Sequence, residues 1–217
     1  MKTNLFLSLI ALLFFASCSD DAVVLGPSDF SYSNATIDIE FYTSGQTGTP
    51  SIDWNGSIGT FGLADSYQGV SINSTTGVVT WNKGLPLGNN TIEIIATNAN
   101  ASLTISITLR NNFSGNFSGS YNYDSNSTTV DGNSNYKLMF TENGTMTAMD
   151  LQIEASGTYT INSMGELTAQ YLYQGSSDSI YITGTVTYSN VQNPILDGLW
   201  GSDVNNPNTG YYKVNFD

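Results

Sequence analysis

The 217-residue chain contains no histidine, a single cysteine, and only five basic residues against 18 acidic ones. Each shortage excludes something. Without histidine the chain lacks the commonest general base and the commonest metal ligand. One cysteine cannot close an intrachain disulfide, so stability has to come from packed secondary structure. A formal net charge of −13 repels nucleic acid and anionic lipid, and neither is expected as a partner. Charged residues are only 11% of the chain, and Ser, Thr, Asn and Gly fill the polar positions instead. The apolar run from Leu5 to Phe15 falls well below the roughly 20 residues that a membrane-spanning helix requires.

That run reads as a secretory leader. Lys2 precedes it, and the small residues Ala16 and Ser17 follow it. The stretch Leu12-Leu13-Phe14-Phe15-Ala16-Ser17-Cys18 resembles the lipobox of bacterial lipoproteins, whose leader is cut before the cysteine and whose cysteine is then acylated. The resemblance implies a lipoprotein signal peptide over residues 1–17, lipidation with palmitate-type chains at Cys18, and attachment to the outer membrane. Two or three acyl chains hold a protein stably where one holds it only marginally. The following Ser19-Asp20-Asp21 run resembles the acidic signal that sends Bacteroidota lipoproteins to the cell surface, which implies an extracellular-facing location. Residues 18–28, with Gly26 and Pro27, read as an acylated tether.

Removal of the leader leaves about 200 residues, enough for one large or two ordinary domains. Thirteen Tyr and ten Phe favour strands over helices. Over residues 29–110 the strand signals begin at Phe30, and Thr36 to Phe41 alternates with Ile37, Ile39 and Phe41 on one face. Ser44 to Pro50 is rich in turn residues. Ser51 to Trp54 is a short strand closed by Asn55-Gly56, a type I′ hairpin signal. Val70-Ser71-Ile72 and Val78 to Trp81 flank a Thr-Gly turn, and Thr91 to Asn98 and Ser102 to Leu109 complete the set. The pattern from Gly69 to Leu109 resembles bacterial cadherin-like or immunoglobulin-type repeats, a resemblance that covers about Phe30 to Arg110 and implies a β-sandwich of about seven strands acting as spacer or adhesion module. No Asp/Glu cluster of the calcium-binding cadherin kind is present, since Asp53, Asp65 and Glu93 stand singly. Trp54 and Trp81 read as core or strand-end residues ahead of sugar platforms.

Asn111 to Gly115 reads as a polar hinge, and residues 111–217 as a second domain. Eight strand candidates follow: 117–123, 136–141, 146–151, 157–162, 166–173, 179–188, 196–200 and 210–216. Asn143-Gly144 between Phe140 and Met146 is the strongest hairpin signal, and Asn133-Ser134-Asn135 marks another turn. An antiparallel meander with one apolar face must close or stack, so the expected fold class is all-β, a sandwich plus a small closed barrel. Gly119-Ser120-Tyr121, Gly157-Thr158-Tyr159, Leu196 to Trp200 and Gly210-Tyr211-Tyr212 resemble the strand motifs of lipocalin- and avidin-like barrels. The Gly-x-Trp near the first strand of lipocalins is absent, so a barrel filled by its own side chains is the alternative to a ligand cavity.

Catalytic candidates reduce to three carboxylates, Asp150, Glu154 and Glu166, which read more readily as solvated edge or loop charges than as an acid/base pair. No nucleophile elbow, phosphate-binding glycine loop or cofactor is indicated, and the chain is expected to be non-enzymatic. Tyr121 with Tyr123, and Tyr171 with Tyr173, are i, i+2 pairs that share a sheet face, and Tyr181 lies on the next strand. Tyr171, Tyr173, Tyr181 and Trp200 are the candidate ligand-binding residues. The expected function is a surface lipoprotein whose barrel binds an extracellular glycan, peptide or small apolar molecule. The alternative is a structural or accessory module that docks onto an outer-membrane protein. Asp178-Ser179-Ile180 resembles a Bacteroidota O-glycosylation acceptor.

Overall fold

Period-two alternation of apolar and polar residues places one face of each segment against a core, and in the computed structural model it builds strands throughout. The structure describes residues 25–130 and 135–217, and among these there is no helix. The leader, Cys18, the acidic run after it and the Asn133-Ser134 step lie outside the described residues. The chain is all-β, with a sandwich followed by a closed eight-stranded barrel.

The sandwich uses nine strands: β1 (Ser28–Ser31), β2 (Thr36–Glu40), β3 (Gly45–Gln46), β4 (Ser51–Asp53), β5 (Thr60–Leu63), β6 (Val70–Ile72), β7 (Val79–Trp81), β8 (Gly88–Thr97) and β9 (Ser102–Asn112). One sheet runs β2-β9-β8-β5, with β2 parallel to β9; β3-β7-β6 and β1-β4 complete the layers. Ile92, Ile94 and Ala96 of β8 and Ile107 and Leu109 of β9 point inward onto Phe30, Ile39, Phe61 and Val79. Trp54 stacks edge-on to Phe61 at 5.2 Å, and both Trp54 and Trp81 pack against this core. The Asn55-Gly56 step has the positive φ angles of a primed turn (52° and 88°), but it does not make a hairpin. Its flanking strands go to different sheets, β4 to β1 and β5 to β8.

The barrel strands are β10 (Gly115–Tyr121), β11 (Tyr136–Phe140), β12 (Thr145–Asp150), β13 (Ile153–Ile161), β14 (Glu166–Tyr173), β15 (Ile180–Thr187), β16 (Ile195–Gly201) and β17 (Gly210–Phe216). Each pairs antiparallel with the next, and β17 returns to β10 (Phe117 opposite Phe216), which removes every free edge. The Asn143-Gly144 turn closes the β11–β12 hairpin with Phe140 opposite Met146. Inward positions Phe117, Leu138, Ala148, Leu167, Ile182, Leu196, Tyr212 and Val214 fill the lower and middle barrel. The outward positions are largely hydroxyl-bearing, such as Thr158, Thr160, Thr168 and Thr185, so the outer wall faces water rather than acyl chains. A Cβ on Gly198 would lie 1.9 Å from the Thr183 carbonyl oxygen, and one on Gly119 2.1 Å from that of Lys213. These glycines let adjacent strands cross closely enough to close a narrow barrel.

The two domains share one aromatic cluster. Phe41 and Tyr42, just past β2, leave the sandwich and enter the base of the barrel. Phe41 meets Phe113 at 5.0 Å, Tyr188 at 5.2 Å and Phe216 at 5.7 Å. Tyr42 donates to Asn193 (3.1 Å), Tyr188 donates to the Leu85 carbonyl (3.0 Å), and Lys83 lies over the Tyr42 ring. The Asn111–Gly115 segment is correspondingly fixed. Asn111 is buried and donates to the Leu85 carbonyl, and the Phe113 carbonyl accepts from Tyr159. Its polar composition reads as a hinge in sequence, yet Asn111 ties it to the sandwich at Leu85 and Pro86, and Tyr159 of the barrel bonds its backbone at Phe113.

Candidate functional site

The barrel strands end at the pole opposite this junction, and there the filling stops. The inward-facing residue at the upper end of β10 is Tyr121, of β11 Tyr136, and of β12 Asp150. From the other side come Tyr171 and Tyr173 of β14, Ile180 of β15 and Trp200 of β16. Together with Tyr123 from the loop after β10, they enclose a cavity of about 150 Å³. That is the size that accommodates a single benzene ring. Parity explains the composition: these positions continue the core-facing register of each strand, but no layer of side chains lies above them to close the mouth.

Neighbouring rings stand nearly perpendicular. Tyr121 and Tyr123 each meet Trp200 at 79°, and Tyr171 meets Tyr173 at 87°. Hydrogen bonds hold the wall in place: Tyr121 donates to Asp150 Oδ2 (2.7 Å), and the Tyr136 and Tyr171 hydroxyls pair at 2.8 Å. Trp200 Nε1 donates to the Asn122 carbonyl (2.9 Å), through space that a side chain on Gly210 would occupy. Asn122 also anchors the loop that carries Tyr123, donating to the Ser127 and Thr129 carbonyls and accepting from the Tyr211 amide. Burial raises the phenols above their ordinary value: Tyr173 is pushed up to about 12, and Tyr136 and Tyr171 are raised well above the ordinary value too. Asp150 is the one carboxylic acid among the lining residues.

Of the four binding candidates named from sequence, the structure brings Tyr171, Tyr173 and Trp200 together at the mouth. Tyr181 is not among them. It sits between the inward Ile180 and Ile182, so pleating turns it to the outer wall beside Thr158 and Gln170. The three carboxylates are not brought together either. Asp150 faces the mouth, Glu154 lies on the outer face, and Glu166 bonds Asn162 at the sandwich end of the barrel. Sequence reasoning passed over Tyr136 and Ile180 as site members, although counting by twos from the core residues Leu138 and Ile182 to the strand ends leads to both. Asn122 carried no such signal.

Among the described residues no group of three or more Cys, Asp or Glu converges as metal ligands would. No protein-family model matches the chain, and no curated protein does. Among solved structures it is similar to human protocadherin-24 EC1-2, at 10% identity and a TM-score of 0.39, over 78% of this chain and 93% of that one. It is also similar to a quinonprotein alcohol dehydrogenase-like protein from Bacteroides thetaiotaomicron, at 11% identity and a TM-score of 0.29, over 79% of this chain and 58% of that one. Likenesses this distant leave the function to be argued from the site.

Proposed function

We propose that this protein is a non-enzymatic lipoprotein, anchored through Cys18 on the outer face of the outer membrane, whose barrel mouth binds a small extracellular ligand. One observation supports the binding role above the others. Six aromatic rings and one carboxylate converge on open space at the only pole of the barrel that the sandwich leaves uncovered. An eight-stranded barrel is narrow enough for its own side chains to fill, and here they fill the base and leave the mouth open. The sandwich serves as the support that carries the barrel.

A second reading, docking onto an outer-membrane protein, is favoured by the rim. Tyr123, Leu151 and Ile153 are 73%, 65% and 58% exposed around the mouth, an apolar collar larger than the cavity needs. Calorimetric titration of the full chain with monosaccharides, small apolar probes and organic ammonium ions separates the two. Saturable heat with one class, weakened by Tyr173→Ala, supports the binding mouth. Absence of heat across the panel refutes it and turns the search to protein partners that contact the rim.

A further inference from the structure

Taking the mouth as a ligand site, we infer that its ligand is an alkylated ammonium cation, a trimethylammonium group or one of its near homologues. The argument starts from Asp150. Among the described residues it has no basic partner: Arg110 pairs with Asp38, Lys83 covers Tyr42 at the junction, and Lys137 and Lys213 stand exposed on the outer wall. The cavity therefore holds one uncompensated negative charge among ring surfaces, in a chain of net charge −13. Carboxylate and rings act in the same direction, since an aromatic face attracts a cation through its quadrupole.

Shape and hydrogen bonding then narrow the class. A cavity of about 150 Å³ takes one compact group. Rings set at 75–79° to one another line it on several sides, which suits a compact group without a preferred axis. A sugar needs a separate partner for each hydroxyl, but Tyr136 and Tyr171 bond each other and Tyr121 is engaged with Asp150. A primary ammonium brings three donors and meets one carboxylate. An alkylated ammonium has few or no N–H groups to satisfy, is weakly hydrated, and needs only charge and contact.

The test uses the intact chain and compares choline with 3,3-dimethylbutan-1-ol, its uncharged carbon isostere, by calorimetry. Choline is expected to bind at least tenfold more tightly than the isostere. Asp150→Asn is expected to lose about tenfold toward choline and little toward the isostere. Equal binding of the two, or saturable binding of a monosaccharide in their place, overturns the cation assignment and leaves the binding mouth standing. No binding of any probe overturns both. Parallel measurements with phosphocholine in solution and with phosphatidylcholine vesicles locate the source. Retention on vesicles identifies a lipid headgroup, and binding in solution alone identifies a free solute; each supports the cation class.

Discussion

Replacing Phe41 by Ala tests whether sandwich and barrel are one cooperative structure. The ring is 2% exposed and contacts four others: Tyr42, Phe113, Tyr188 and Phe216. Truncating a buried Phe costs about 3–5 kcal/mol. Each edge-to-face pair adds about 0.5–1.5 kcal/mol beyond area, which places this site at the upper end, near 5 kcal/mol. The cavity forms between domains, where neither core can collapse into it without breaking the Tyr188–Leu85 and Tyr42–Asn193 bonds. For a chain of this length about 2–4 °C is lost per kcal/mol, so the expected fall in Tm is about 10–20 °C. Scanning calorimetry should show one transition in the parent and a lower one in the variant. Two well-separated transitions in the parent, or a barrel transition that Phe41→Ala leaves within about 2 °C, would refute the shared junction.

The same junction predicts that residues 111–217 expressed alone expose Phe113, Tyr188 and Phe216, and bind an apolar-surface dye that the full chain does not. Alkaline pH should destabilise the protein. Tyr159, Tyr173 and Tyr188 are each held protonated to about 12 by burial, while the unfolded chain releases its phenolic protons near pH 10. Their contribution is therefore complete below about pH 10 and lost as pH rises toward 12, so the denaturant midpoint should fall over that window. A midpoint unchanged across it contradicts the burial of these rings. Gly198→Ala, which drives a Cβ into the Thr183 carbonyl, should cost about 3 kcal/mol, whereas Gly62→Ala meets nothing within 4 Å and should be neutral or slightly stabilising in urea titration. Cys18→Ser should move the protein from the membrane fraction to the soluble one, and retention in the membrane would remove the lipid anchor from the account.

Most of the barrel is legible in the sequence because its strands pair with their neighbours in the chain. Tyr136-Lys137-Leu138-Met139-Phe140 alternates, a turn follows, and the partner strand is the next alternating run. The sandwich is less transparent. Gly45–Gln46 has no branched or aromatic residue and Thr60–Leu63 is four residues interrupted by Gly62, so neither announces a strand, and they pair with β7 and β8, whose distance along the chain no local signal spans. The same limit hides the junction. Phe41 reads as one more inward residue of an alternating strand, and its partners Tyr188 and Phe216 lie well over a hundred residues away. At the mouth, parity is enough to place Tyr171, Tyr173 and Trp200 together, and the same parity, applied to Ile180 and Ile182, turns Tyr181 outward.

Stacking the domains end to end has a consequence for reach. Leu25 bonds Asn98 and Asn100 at the sandwich end remote from the barrel, and the aromatic mouth lies at the opposite extreme. Eleven residues of β9 extend about 35 Å, and a tilted barrel strand adds about 20 Å. Leu25, the first described residue after the proposed anchor at Cys18, thus lies roughly 50 Å from the opening. An anchor at Cys18, as proposed, would enter the molecule at the sandwich end and leave the mouth at the far end. On that proposal the lipid end and the ligand end of the molecule are separate, and filling the mouth leaves the attachment point untouched.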